Sequence, residues 1–218
     1  MRVRTDLALE AKELWEQSAG KTTRLPGVTA RSKTAGGVEV TTVEVLDGRG
    51  EKALGKPAGT YVTLELRDFA RKHRDSLPRA AEVLARQLRP LLGLNRGDPV
   101  LVAGLGNEAV TPDAVGPKVV RRLLVTRHLV EEVPSFFGGY RPVSAVTPGV
   151  LGTTGLESAQ VVAAVAQRVK PRCVVVVDAL AARELRRVCT TVQLTDTGIT
   201  PGSGVQNARE ALSRAQLG

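Results

Sequence analysis

Residues 99–117, PVLVAGLGNEAVTPDAVGP, decide the fold of this chain. They open with an apolar run, 100–103, that has the length and composition of a buried strand, and a glycine-containing turn follows it. We predict a helix over residues 112–124, capped by Thr111. A proline at its first position and Asp113 in its first turn, where the helix dipole favours a carboxylate, support that start. The stretch therefore predicts a strand and a helix joined by a turn that presents Asp113.

The rest of the C-terminal half continues this alternation. The further predicted strands are residues 142–146, 172–177 and 188–194, and the further predicted helices are residues 155–169, opened by a capping box of Thr154 and Glu157, and residues 179–187. Such an order implies right-handed crossovers between parallel strands. The apolar residues are mostly Val, Ala and Leu, whereas aromatic residues make up 3% of the chain. We therefore predict an α/β fold of three layers, a mostly parallel sheet with helices on both faces.

The N-terminal part is predicted to form a β/helix elaboration of that core. Its predicted elements are a helix over 5–15, a loop over 18–37, antiparallel strands over 38–46 and 60–66 with a turn at 47–50, and a helix over 76–92 that Pro90 kinks or ends early. The length of 218 residues fits one domain. We thus expect a single domain, 1–218, made of an elaboration, 1–95, and an α/β core, 96–218.

A second aspartate, Asp178, directly follows the predicted strand 172–177. Parallel strands bring their carboxyl ends to one edge of a sheet, so Asp113 and Asp178 are predicted to meet there. Each also has a purely structural interpretation, because Asp113 suits a helix start and Asp178 can cap the helix after it. A close pair of carboxylates shares one proton. Such a pair can activate water and protonate a leaving amine, or it can hold a divalent metal.

Two other motifs have weaker support. Gly104 and Gly106 suggest a dinucleotide-binding loop, but the third glycine of that fingerprint is missing. The glycines are better explained by a sharp turn. Ser203 lies in the tight loop 200–204 and is a conceivable nucleophile, yet nothing in the sequence marks a base for it.

The segment 196–198, Asp-Thr-Gly, matches the signature of pepsin-type proteases. That signature belongs to an all-β architecture, so we interpret it as a glycine-containing strand exit, with Asp196 as a secondary group near the sheet edge. His128 is expected to be a hydrogen-bonded structural residue, and His73, in a charged run, to be exposed. These two histidines lack the clustering that a zinc site needs.

Composition limits the classes of partner. The net charge of +9 reflects either a basic solvated surface or attraction to an acidic partner. The basic residues are scattered and do not interleave with aromatic ones, so no direct nucleic-acid binding is predicted. Cys173 and Cys189 lie in apolar runs and are expected to be buried thiols in a reducing compartment. Neither a signal peptide nor a membrane-spanning run is present, so we expect a soluble intracellular protein. We expect no cofactor, with a divalent metal on the two aspartates as the alternative.

Several blocks of sequence are distinctive in combination. They are RTDLALEA (4–11), VAGLGNEAVTPDAVGP (102–117), LLVTRHL (123–129), RPVSAVTPGVLGTTGLES (141–158), VVDALAAR (176–183) and TTVQLTDTGITPGSGV (190–205). In this order they closely resemble the germination protease, or spore protease, family of endospore-forming bacteria. The resemblance covers nearly the whole chain.

This resemblance implies an endopeptidase that degrades the small acid-soluble proteins of spores during germination. It assigns catalysis to Asp113 and Asp178, the pair that the residues themselves indicate. It also implies a homotetramer in the cytoplasm of the spore core, made as an inactive precursor, with a core similar to that of the hydrogenase maturation proteases. In those related enzymes the equivalent carboxylates contact a metal in the substrate, so a metal-assisted peptidase with the same two ligands is an alternative.

Family members usually continue beyond residues 211–218, ALSRAQLG, with another apolar strand. We therefore expect the C-terminal part of the family fold to be missing here. A missing strand exposes the edge of a sheet and its apolar neighbours. This leaves a further alternative, an inactive truncated paralogue that acts only as a binding protein.

Overall fold

The computed structural model describes residues 5–19, 25–67, 76–203 and 209–217. The chain forms two compact units. The first comprises residues 1–92, 180–197 and 202–207, and the second comprises residues 93–179, 198–201 and 208–218. His73 lies outside the described residues. Within the described residues, no helix has the length and apolar character needed to cross a membrane.

The strands and helices are labelled in chain order. The strands are β1 (Val28–Ala35), β2 (Val38–Val45), β3 (Gly59–Glu65), β4 (Val100–Gly104), β5 (Val143–Val146), β6 (Cys173–Val177) and β7 (Thr191–Thr195). The helices are α1 (Ala8–Ala19), α2 (Gly48–Leu54), α3 (Ser76–Leu92), α4 (Val115–Val120), α5 (Arg127–Glu132), α6 (Pro134–Phe137), α7 (Leu151–Thr154), α8 (Ser158–Val169) and α9 (Arg214–Leu217). Short 3-10 turns occupy Thr111–Asp113 and Leu185–Arg187.

The first unit is built on an antiparallel sheet with the strand order β1-β2-β3-β7. One cluster of buried residues joins Val43 and Tyr61 of this sheet to Ala8 of α1. A second cluster joins Val40 and Leu64 to Val83 of α3. Because successive side chains of a strand point to opposite faces, the sheet is covered on both sides.

The loop predicted over residues 18–37 is wrong for its second half, which forms β1. This strand pairs with β2 along its full length through a two-residue turn at Gly36 and Gly37, whose φ angles are 55° and 79°. Positive φ at both positions is what a tight hairpin requires. Most of β1 is exposed, so it lacks the apolar alternation that predicts a strand. The turn predicted at 47–50 instead opens α2, with Asp47 as its N-cap.

The strand predicted over residues 188–194 exists as β7, but its predicted place in the parallel sheet is wrong. It pairs antiparallel with β3, with Thr63 opposite Gln193. Residues 180–197 therefore belong to the first unit and not to the α/β core that was predicted over 96–218. Apolar alternation identifies a half-buried strand, whereas the partner strand is a tertiary choice.

The second unit contains a parallel sheet with the order β5-β4-β6. The central strand is buried throughout. On one face Leu101 and Ala103 pack with Val162 of α8. On the other, Gly104 approaches Gly116 and Val120 of α4 so closely that a side chain there would overlap them. The α/β class is thus confirmed, but only three of the described strands are parallel.

Several helix boundaries differ from prediction. The helix predicted over 112–124 is a 3-10 turn followed by the short α4, and Val110 precedes that turn without a side-chain cap, so Thr111 is not the N-cap. The capping box is also wrong, because Thr154 ends α7 and Glu157 precedes α8 without capping it. Pro90 does not end α3 early.

Candidate active site

Asp113 is held at the end of the turn that follows β4. The backbone N–H of Asn107 donates to Asp113 Oδ2 at 2.7 Å, and the Asp113 N–H donates to the Val110 carbonyl at 2.8 Å. Gly106 has a φ of 111°, and a Cβ there would overlap the Asp113 carbonyl oxygen. The glycine turn therefore lets the backbone fold back against a half-buried carboxylate, as the sequence predicted.

Asp178 directly follows β6 and is also half-buried. The N–H of Ala179 donates to Asp178 Oδ1 at 2.8 Å. The helix predicted after it, over 179–187, is wrong except for the 3-10 turn Leu185–Arg187. Asp178 is therefore not a helix cap.

The ends of β4 and β6 are joined in register. Gly104 lies opposite Val177, and the Leu105 N–H donates to the Val177 carbonyl at 2.8 Å. Gly116, three residues after Asp113, packs so tightly that a Cβ on it would overlap Leu105 and the Val177 carbonyl oxygen. Val177 immediately precedes Asp178. Both aspartates thus lie at the carboxyl edge of the parallel sheet, where ligands bind in such folds.

Asn107 and Gly116 are site-shaping residues that the sequence analysis missed. Asn107 acts through its backbone N–H, so its side-chain type carries no signal. Gly116 is required because strand and helix backbones nearly touch there. Its position within a predicted helix, where glycine is unfavourable, was the available signal.

The described residues do not supply a complete set of metal ligands at this edge of the sheet. In residues 5–19, 25–67, 76–203 and 209–217 there is no group of three or more His, Cys, Asp or Glu side chains able to hold a metal ion. Asp113 and Asp178 alone would leave most coordination positions of a divalent cation to water or substrate.

The other candidate residues are not at the ends of parallel strands. Asp196 follows β7 in the antiparallel sheet and accepts a hydrogen bond from the Thr60 N–H at 2.8 Å, so the strand that it ends is not part of the parallel sheet. Ser203 donates to a carboxylate in the first unit. His128 is exposed on α5.

The two thiols differ. Cys173, at the start of β6, is half-buried, and burial raises its pKa. Cys189 is exposed, so the expectation that it is buried is wrong.

A buried charge cluster in the first unit was not predicted. Arg187 is 3% exposed and makes a two-pronged ion pair with Glu13, both N···O distances being 2.7 Å. It also donates to Glu65 at 3.1 Å and lies 3.6 Å from Glu10. The pKa of Arg187 is raised, chiefly by its hydrogen bonds to Glu13. The charges are partners of one another, which explains how they are tolerated in the interior.

Together, the fold and this edge define an α/β protein in which two neighbouring parallel strands are each followed by an aspartate. The chain belongs to the germination protease family, whose sequence model matches residues 8–218. The resemblance inferred from the sequence blocks is thereby confirmed.

Individual relatives agree with this assignment. The chain is 49% identical over 217 residues to the germination protease of Caldanaerobacter subterraneus subsp. tengcongensis, covering 99% of this chain and 65% of the relative. It is 45% identical over 220 residues to that of Clostridium tetani, covering 100% of this chain and 67% of the relative. It is 43% identical over 224 residues to that of Oceanobacillus iheyensis, covering 100% of this chain and 61% of the relative. The chain thus spans about two thirds of the length of these relatives.

Proposed function

We propose that this protein is an endopeptidase that degrades small acid-soluble spore proteins during germination, using Asp113 and Asp178 to activate water. Membership of the germination protease family supports the activity. The observation that carries the residue assignment is that both aspartates follow parallel strands paired in register, Gly104 opposite Val177.

The proposed reaction uses the two carboxyl groups in opposite protonation states. The ionised aspartate takes a proton from water while the water oxygen attacks the carbonyl carbon of the peptide bond. The protonated aspartate then donates its proton to the amide nitrogen, and the C–N bond breaks to give a carboxylic acid and an amine. This division of roles requires both carboxyl groups to reach the same water molecule and peptide bond.

The net charge of +9 supports acidic substrates. A basic surface raises the local concentration of anionic partners and the rate of their association. We propose that small acid-soluble spore proteins are these substrates, and that the enzyme acts on them in the cytoplasm of the spore core. The family resemblance and the net charge of +9 support both proposals.

The resemblance also supports two structural proposals. One is a homotetramer, which light scattering after size-exclusion chromatography tests directly; a monomeric mass at micromolar concentration contradicts it. The other is a core similar to that of the hydrogenase maturation proteases, which a superposition of experimental structures tests.

Asparagine substitutions test the two-aspartate mechanism. We expect Asp113→Asn and Asp178→Asn each to reduce cleavage of a purified small acid-soluble spore protein by about 10²- to 10⁴-fold, the usual contribution of a general acid or base. Asp196→Asn is the matched control, since Asp196 also follows a strand but lies in the antiparallel sheet. Cleavage by both Asp113 and Asp178 variants at the wild-type rate contradicts the mechanism. Absence of cleavage by the wild-type protein contradicts the peptidase activity itself.

A further inference from the structure

Helix α4 belongs to the second unit, as both candidate aspartates do, and its two faces differ. The inner face contacts the parallel sheet: a Cβ on Gly116 would overlap Leu105 and the Val177 carbonyl oxygen. Gly116 and the next residue, Pro117, are buried. This backbone contact fixes α4 relative to the strand ends, and Asp113 lies two residues before the helix begins.

The outer face of α4 is exposed. Its residues recur at the spacing i, i+3, i+4 and i+7, which places them on one side of a helix: Val115, Lys118, Val119 and Arg122. Arg122 lies just beyond α4, but its N–H donates to the Val119 carbonyl at 3.0 Å, so the turn continues to it. The two valines are 48% and 39% exposed, and both basic residues are exposed. We call these four residues the α4 surface.

The two cations of the α4 surface are available to an external partner. Among the residues that the structure describes, neither Lys118 nor Arg122 makes an ion pair, whereas the adjacent Arg121 pairs with Glu108. Lys118 and Arg122 are four residues apart, and like charges at that spacing destabilise a helix slightly. An anion bound between them relieves this repulsion. The α4 surface therefore suits a chain segment that carries both carboxylates and apolar side chains.

We propose that the α4 surface is where an acidic segment of the protein substrate docks, with the bond to be cleaved beside Asp113. The seven steps from residue 115 to residue 122 rise about 10 Å, which an extended peptide covers in about three residues. Lys118 and Arg122 pair with carboxylates of the substrate, and its apolar side chains cover the two valines. These residues thus determine specificity, and this inference rests on the proposed function.

Replacing both cations tests the charged part of the α4 surface. We expect Lys118→Gln combined with Arg122→Gln to raise KM for a purified small acid-soluble spore protein about three- to tenfold, with kcat unchanged, the pattern of lost uniform binding. The KM ratio of variant to wild type should approach one in about 1 M NaCl, where the Debye length is about 3 Å.

The matched control removes two charges from the same unit. Arg168→Gln combined with Arg172→Gln changes two exposed cations, one in the last turn of α8 and one just before β6 begins. They lie at the amino end of β6, away from the aspartates, because α8 runs back along the sheet to reach that end. We expect the KM of this control to stay at the wild-type value.

Val119→Thr tests the apolar part with little change in shape, because a hydroxyl replaces one methyl group. We expect KM to rise about two- to fourfold, the effect of one methyl group that substrate no longer buries favourably. This rise should persist in about 1 M NaCl, since salt screens charges and not apolar contacts. A rise that disappears at high salt contradicts an apolar contact at Val119.

The outcomes separate this inference from the proposed function. Normal cleavage with wild-type KM in the Lys118 and Arg122 double variant overturns this inference alone. An equal rise in KM in the Arg168 and Arg172 control overturns it too, because overall charge then attracts the substrate. If the Lys118 and Arg122 double variant has a lower mass than the wild type in light scattering, the α4 surface is an interface between copies, which contradicts the proposal. No cleavage by the wild-type protein overturns the proposed function and this inference together.

Discussion

The backbone N–H of Asn107 donates to Asp113 Oδ2 at 2.7 Å, six residues along the chain. This bond closes the turn after β4. Gly106 precedes Asn107 in that turn, and its Cα faces the Asp113 carbonyl oxygen. A carboxylate held by a backbone donor needs no side-chain partner to keep its place. The site therefore depends on the conformation of the turn as much as on the aspartate itself.

Gly106→Ala should disturb this turn. The residue has a φ of 111°, and a Cβ would overlap the Asp113 carbonyl oxygen. We expect a loss of about 2–3 kcal/mol in the free energy of unfolding, measured in urea, and a fall in kcat. Gly97→Ala is the control: its φ is 85°, nothing lies within 4 Å, and we expect roughly 1 kcal/mol from backbone strain alone. Equal losses for the two variants contradict the overlap.

Removing Arg187 should strongly destabilise the protein. Its side chain is the cation shared by Glu13 and Glu65, and Glu65 is 6% exposed. We expect Arg187→Ala to cost about 3–5 kcal/mol in urea unfolding, because buried carboxylates lose their partner. Arg186→Ala, which breaks only an exposed ion pair with Glu184, should stay within about 0.5 kcal/mol. If both variants unfold at the same urea concentration, the buried cluster is not stabilising.

Acid should weaken the same cluster. Burial raises the pKa of Glu65, but hydrogen bonds from Arg67 and Arg187 outweigh it, so the pKa lies below the ordinary 4.5. For Glu10 the opposing hydrogen bonds come from Thr5 and the N–H groups of Arg183 and Glu184, and its pKa is likewise lowered. A lowered folded-state pKa gives stability that is present above 4.5 and lost as the pH falls through the folded-state value.

We therefore expect the stability difference between the wild type and Glu65→Gln to shrink when urea unfolding is measured at successively lower pH below 4.5. Glu131→Gln is the control, because Glu131 forms an exposed ion pair with Arg127. The stability difference between the wild type and this variant should change little over the same pH range. A difference that stays constant across this range shows that folding does not lower the pKa of Glu65.

Metal removal separates the two peptidase mechanisms. The described residues offer Asp113 and Asp178 without a third ligand group. After exhaustive dialysis against EDTA we expect cleavage to stay within about twofold of the untreated rate, since the two-aspartate reaction needs no ion. Elemental analysis of the dialysed protein confirms that the metal is gone. Loss of activity that a divalent cation restores supports the metal-assisted alternative.

Within the parallel sheet, the sequence predicted the elements that carry the candidate site. Apolar runs of strand length predicted β4 and β6. The same runs drew attention to Asp113 and Asp178, because each follows one of these strands. Such apolar runs are a local property of the sequence, and buried parallel strands show them clearly. Helix starts were less predictable: the expected caps, Thr111 and Thr154, do not cap, because Val110 precedes the 3-10 turn and Glu157 precedes α8.

By itself, the sequence determined the family, the α/β class and the two strand-end aspartates, because residue type and local spacing carry that information. Only the tertiary structure decided the rest. It paired β7 with β3 and not with the parallel sheet, and it brought Asp6 to Ala181, 175 residues away. Those choices depend on which distant hydrogen-bonding groups satisfy one another, and no local pattern in the chain encodes that partner.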